Sequence, residues 1–140
     1  MIIIIILGKR IIFIIHGIFI ALSSFSIYMY GILGLKDPQA AMTMSFLVLS
    51  ISQIIHSFNQ RSNIDSIFSQ KDHNKWLYIV SLGALGVVAF VSFTPKVMYI
   101  FKLVYLEPIN YLYVLLISLV PLVLVEIQKL IKRFYLKHKK

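Results

Sequence analysis

The chain has 140 residues, 59% of them hydrophobic, and a mean hydropathy of +0.88. Soluble domains are about 45–50% apolar, so this composition excludes an ordinary water-soluble domain and indicates a lipid environment. The 14 basic and 5 acidic residues lie in clusters between long uncharged runs. No cysteine is present, which excludes disulfides and thiolate metal sites.

Four uncharged runs are long enough to cross a bilayer, because a hydrocarbon core of about 30 Å needs about 20 helical residues. They are residues 11–33, 40–58, 76–93 and 109–125. Prolines near their ends support these boundaries, since proline disrupts a helix interior but is tolerated in a first turn. We therefore predict an all-α membrane protein, a single domain over residues 1–140, with four transmembrane helices in an antiparallel bundle.

Between the third and fourth predicted spans lies a second kind of segment. Residues 96–105 are apolar apart from Lys96 and Lys102, and they are too few to span a bilayer. Such a segment is typical of an interfacial element that lies along the membrane surface. We predict it on the outer face.

The basic residues are unevenly divided between the two predicted sides. The side of the termini and the loop 59–74 carries eleven, and the opposite side carries only Lys36, Lys96 and Lys102. Cations near helix ends mark the cytoplasmic side, so we predict that both termini lie in the cytoplasm. We expect the membrane to be the plasma membrane. Six cations fall in a predicted basic tail, residues 126–140, where the bilayer's anionic lipids rather than a nucleic acid are the expected partner.

The second predicted span carries a polar stripe. Ser50, Gln53 and Ser57 are spaced to share one helix face, and His56 flanks it. One interpretation is a helix that lines an ion site, with the Gln53 side-chain carbonyl as a hard oxygen ligand. The other is hydrogen bonding between helices, and the residue pattern alone favours it.

The other polar and small residues of the spans favour structural roles. His16 is more typical of a hydrogen-bonded residue than of a ligand, and the small residues 83–86 are typical of helix packing. Pro121 predicts a kink in the fourth span.

The acidic residues argue against catalysis by this chain. All of them lie at predicted helix ends or in loops, so no carboxylate relay crosses the hydrocarbon region. They are Asp37, Asp65, Asp72, Glu107 and Glu126. The sequence also lacks a glycine-rich phosphate loop and an HExxH motif.

Several short stretches, in their order and spacing, resemble the last third of the membrane domain of P-type cation-transporting ATPases, calcium pumps in particular. They are residues 41–46 (AMTMSF), 56–62 (HSFNQRS), 74–77 (NKWL), 98–103 (MYIFKL) and 126–133 (EIQKLIKR). The resemblance implies that the four spans correspond to helices seven to ten of a ten-helix pump. It also implies a cytoplasmic C-terminus.

Such pumps use ATP and magnesium and are phosphorylated on a DKTGT aspartate, but this sequence contains no DKTGT. We therefore expect a C-terminal piece of a pump, from a gene fragment or a split gene, with no cofactor and no catalysis of its own. Its expected partners are the remaining helices and the cytoplasmic domains.

The resemblance places Gln53 where two-site calcium pumps carry a glutamate that completes their extra site. The amide implies a one-site pump and makes Gln53 a candidate metal ligand, since a neutral ligand removes one charge from a site for a hard dication.

Two other classes of small membrane protein are alternatives to a piece of a pump. A free-standing small membrane subunit that modulates another protein stays open as the alternative. A four-helix multidrug exporter needs an intramembrane glutamate in its first helix, and residues 11–33 contain none.

Overall fold

The computed structural model describes residues 2–59 and 75–138, so the predicted cytoplasmic loop lies almost entirely outside the described residues. The described part is helical throughout, apart from short connections. Its elements are α1 (Ile2–Met29), which continues into a π-helical turn (Tyr30–Leu35), then α2 (Pro38–Asn59), α3 (Lys75–Phe93), α4 (Pro95–Phe101) and α5 (Pro108–His138). The all-α prediction is confirmed.

Three helical stretches are long and apolar enough to cross a membrane: Ile11–Leu35, Pro38–Phe58 and Pro108–Phe134. A fourth crossing is reached only when α3 and α4 are counted together, and these two helices meet at an angle of 86°. The chain is therefore a multi-pass membrane protein with three or four spans. The predicted tail is not separate, because α5 continues as a helix to His138.

The break between α1 and α2 depends on two adjacent residues. Lys36 adopts a left-handed conformation (φ 54°) that ends the helical path. Asp37 then caps α2, since its Oδ1 accepts hydrogen bonds from the backbone N–H groups of Gln39 (2.9 Å) and Ala40 (3.1 Å). These bonds satisfy donors that the first turn of a helix otherwise leaves free.

The break between α3 and α4 lies at Thr94, whose backbone is extended (φ −94°, ψ 111°). Pro95 follows as the first residue of α4, where its missing N–H costs nothing. Lys102, again left-handed at φ 55°, ends α4. The end of the predicted third run and the start of the fourth thus coincide with helix ends, because α3 ends at Phe93 and α5 begins at Pro108.

The core is formed where α1, α2 and α5 pack against one another, whereas α3 packs on α2 and α4. α2 is the central helix, because Met44 and Val48 on it are fully buried. Its Thr43 Oγ1 also accepts a hydrogen bond from the backbone N–H of Val104 (3.0 Å), which fixes the α4–α5 connection to α2.

Gly31 allows the closest backbone approach between two helices. A Cβ placed on Gly31 would overlap the Cα and Cβ atoms of Ala41 and lie 2.9 Å from its backbone nitrogen. Because these are mainly backbone atoms, the neighbour cannot move aside by rotating a side chain. Ala41 itself is fully buried.

Gly31→Ala is therefore expected to destabilise the bundle by about 1–3 kcal/mol, the usual cost of overpacking. The measurement is the thermal unfolding midpoint of the purified chain in detergent. Gly17→Ala is the matched control, because no atom lies within 4 Å of a Cβ at Gly17. Equal midpoints for the two variants would contradict the close contact.

Candidate functional site

The predicted polar stripe of α2 lies on the side that the rest of the chain leaves open. Gln53 and Ser57 are exposed, and Ser50 is half-buried. Ser57 Oγ donates to the backbone carbonyl of Ile54 (2.7 Å), so its hydroxyl is satisfied within α2. Within the described part of the chain, the Gln53 amide makes no hydrogen bond.

Exposed residues continue along the same side of α2 for its whole length. Their spacing of three to seven residues keeps them on one face of the helix, which we call the open face. The open face consists of Gln39, Met42, Leu49, Gln53 and Ser57. It is mixed in character, with two apolar side chains between polar ones.

A cluster of polar side chains joins three helices and contains His16, which is hydrogen-bonded as the sequence predicts. His16 on α1 is 6% exposed, and its Nε2–H donates to Oε1 of Gln128 on α5 (3.1 Å). Its ring meets that of His56 on α2 edge to face, with centroids 4.9 Å apart. No local pattern signals this cluster, because 112 residues separate His16 from Gln128.

Lys129 is buried beside this cluster. It is 4% exposed, and its Nζ lies 3.6 Å from Oε1 of Glu126, one helical turn earlier. The charge count had placed Lys129 among the lipid-anchoring cations of the tail, and the structure instead turns it into the protein. A buried cation needs such a paired carboxylate, and the Glu-x-x-Lys spacing is the sequence signal that could have indicated it.

Two pairs of serines also connect α2 to its neighbours. Ser24 Oγ on α1 lies 2.7 Å from Ser45 Oγ on α2. Ser52 Oγ on α2 donates to the backbone carbonyl of Ser118 on α5 (3.2 Å), and both residues are buried. Among the described residues, hydrogen bonds from α2 to its neighbouring helices are thus made by Ser45 and Ser52, not by the polar stripe for which this role was predicted.

Among the described residues, no group of three or more His, Cys, Asp or Glu side chains comes together. The candidate ligand from the sequence, Gln53, therefore has no such cluster beside it. A site that includes it needs ligands from elsewhere.

The structure also shows where the small residues 83–86 and Pro121 lie. Gly83 and Gly86 are exposed, and nothing lies within 4 Å of a Cβ at either position, so no described residue packs there. Pro121 is buried inside α5, which continues on both sides of it.

Three or four stretches of helix long and apolar enough to cross a membrane define the chain as a multi-pass membrane protein. The chain belongs to the cation-transporting ATPase family: the family description "Cation transporting ATPase, C-terminus" matches residues 5–131. This confirms the resemblance to P-type cation pumps seen in the sequence.

One relative with a known activity is similar to most of the chain. It is the protein named calcium-transporting ATPase 1 of Bacillus cereus, 44% identical over 95 residues that make up 66% of this chain. The match covers only 11% of that relative's length. No solved structure gives a significant match to the chain.

The Gln128 contact can be tested by removing the amide. Gln128→Leu leaves the buried His16 without its hydrogen-bond acceptor, which is expected to cost about 1–3 kcal/mol. The thermal unfolding midpoint in detergent should fall. Gln39→Leu is the control, since that side chain is exposed on the open face, and an equal fall in both variants would contradict the role assigned to Gln128.

Proposed function

We propose that the chain acts as the C-terminal transmembrane part of a P-type calcium-transporting ATPase and supports its ion-binding helices. ATP and magnesium would be used by the cytoplasmic domains of the pump, so the chain has no catalysis of its own. The observation that carries this proposal is the exposed amide of Gln53 on the open face of α2, which makes no hydrogen bond to a described residue.

An unpaired Gln53 amide in contact with lipid would be unfavourable. An amide that faces hydrocarbon without partners loses several kcal/mol, because nothing in lipid can hydrogen-bond to it. Gln53 lies within the spanning stretch Pro38–Phe58. The Gln53 amide therefore needs a polar partner, either another part of a membrane protein or the ion itself. Family membership supports the proposal that the ion-binding helices of the pump are this partner.

The amide also suits the chemistry of the proposed cargo. Calcium takes carbonyl as well as carboxylate oxygens as ligands, so Gln53 can contribute one neutral oxygen to a site completed by other helices. We propose that Gln53 contributes one ligand at the edge of a site for a single calcium ion. This role is smaller than that of a carboxylate.

We propose that the spans are antiparallel and that both termini lie in the cytoplasm. The membrane that holds the pump is proposed to be the plasma membrane. The support is the distribution of basic residues. Lys96 and Lys102 on the opposite side are both exposed.

Cysteine labelling tests this orientation on a sequence without native cysteine. In intact cells, Lys96→Cys should react with an impermeant maleimide applied from outside, and Ser69→Cys, which lies outside the described residues, should react only after permeabilisation. Labelling of Ser69→Cys in intact cells would reverse the proposed topology.

The role of Gln53 can be tested in a chimera in which this chain replaces the corresponding end of the Bacillus cereus pump. Gln53→Leu should weaken calcium-dependent phosphorylation modestly, because one neutral ligand or one helix contact is lost. Gln53→Glu should be tolerated better, since it keeps the oxygen. The measurement is phosphoenzyme formed against calcium concentration, at equal expression.

Gln39→Leu, a matched change on the same open face, serves as the control and should leave calcium affinity unchanged. If Gln53→Leu equals the parent chimera in affinity, turnover and stability, the role proposed for Gln53 is wrong. A chain that cannot replace the pump's own helices, yet changes the activity of an intact pump when co-expressed, would instead indicate the alternative, a free-standing modulating subunit.

A further inference from the structure

A cavity of about 240 Å³ lies between α2, α3 and α5. It exists because α3 packs on α2, whereas the backbone of α3 does not approach that of α5. Its walls are apolar side chains such as Ile51, Leu85 and Leu115, apart from the hydroxyl-bearing residues Ser92 and Tyr111. Leu85 is 43% exposed and Ala89 is also exposed, so the cavity opens sideways toward the surrounding lipid.

Ser92 is the unusual member of this wall. It is only 2% exposed, yet its Oγ has no hydrogen-bond partner. Serines elsewhere in the bundle, Ser23 on α1 and Ser118 on α5 for example, donate to the carbonyl four residues earlier. A buried hydroxyl without a partner is rare and calls for an acceptor, so the wall offers one free donor to whatever fills the cavity.

One end of the cavity is closed by aromatic rings. Phe93 and Tyr111 are stacked with centroids 6.1 Å apart, and Tyr105 Oη donates to the backbone carbonyl of Phe93 (3.2 Å). The Tyr111 hydroxyl already accepts a hydrogen bond from the backbone N–H of Leu106 (3.4 Å). A water molecule, which needs two to four polar partners, therefore fits this cavity poorly.

We propose that the cavity binds one acyl chain of a membrane phospholipid, with the ester carbonyl of that lipid accepting a hydrogen bond from Ser92. Apolar cavities take up apolar molecules, and the cavity opens into a fluid of acyl chains. Ser92 lies one residue before the end of α3, the depth at which ester carbonyls replace hydrocarbon. The exposed Lys96, four residues further on, is suitably placed for the lipid phosphate.

This inference concerns a lipid site and does not depend on the proposed pump function. The direct test uses the unaltered chain in bilayers that contain phosphatidylglycerol with a photoreactive diazirine in its acyl chain. After illumination, mass spectrometry should find adducts concentrated on cavity residues of α3 and α5, such as Leu85, Ala89 and Leu115. Adducts spread evenly over the lipid-exposed side of α3, including Leu82 and Val87, would overturn the proposal.

Variants separate the two parts of the site. Ala89→Phe fills the mouth of the cavity and should abolish the concentrated adducts, whereas Val87→Phe, on an exposed position outside the cavity, should keep them. Ser92→Ala should weaken retention of the ester lipid about fivefold, the value of one ordinary hydrogen bond. An ether-linked lipid should bind both forms equally.

Retention is measured by native mass spectrometry of the purified chain. If Ala89→Phe retains lipid and adducts as the unaltered chain does, the cavity is not the site. If Ser92→Ala affects ester and ether lipids alike, the hydrogen bond from Ser92 is wrong. The cross-linking test uses the unaltered chain. It can therefore refute the proposal even if one of the variants fails to fold.

Discussion

The absence of water from the hydrocarbon region is the constraint on which this structure depends, because a polar group left there without a partner costs several kcal/mol. α2 meets the constraint on two sides at once. Ser45 pairs with Ser24 of α1, and Ser52 donates to the backbone of Ser118 on α5. Helices in lipid gain little from the hydrophobic effect against one another, so these bonds, with the close approach at Gly31, hold α1, α2 and α5 together.

The same constraint makes the exposed Gln53 informative. Several buried polar side chains, among them His16, Ser24 and Ser52, are paired with other side chains or with a backbone carbonyl. The Gln53 amide on the open face makes no hydrogen bond to a described residue, so a partner on that face would supply what the described helices do not. Membership of the cation-transporting ATPase family supplies such a context, since the matched relative is far longer than this chain.

The sequence predicted the features that depend on local chemistry. Helix breaks followed from prolines. The spacing of charges predicted four apolar spans; three single helices are long enough, and a fourth span is reached only when α3 and α4 are counted together. What it did not predict depends on contacts between distant residues. Helical periodicity places Gln53 and Ser57 on one face but does not say which neighbour that face meets, and nothing near His16 identifies Gln128. Lys129 was misjudged for the same reason, because a count of cations does not record which way a helix turns them.

The three sides of α2 differ in how firmly they are held, and this difference bears on what each can do. Toward α1 and α5 it is fixed by buried hydrogen bonds and by Met44 and Val48 in the core. Toward α3 it borders a cavity of about 240 Å³. The open face lies on the same helix. A partner helix packed against Gln53, as we propose, would rest on the hydrogen-bonded core of α1, α2 and α5 rather than on α3.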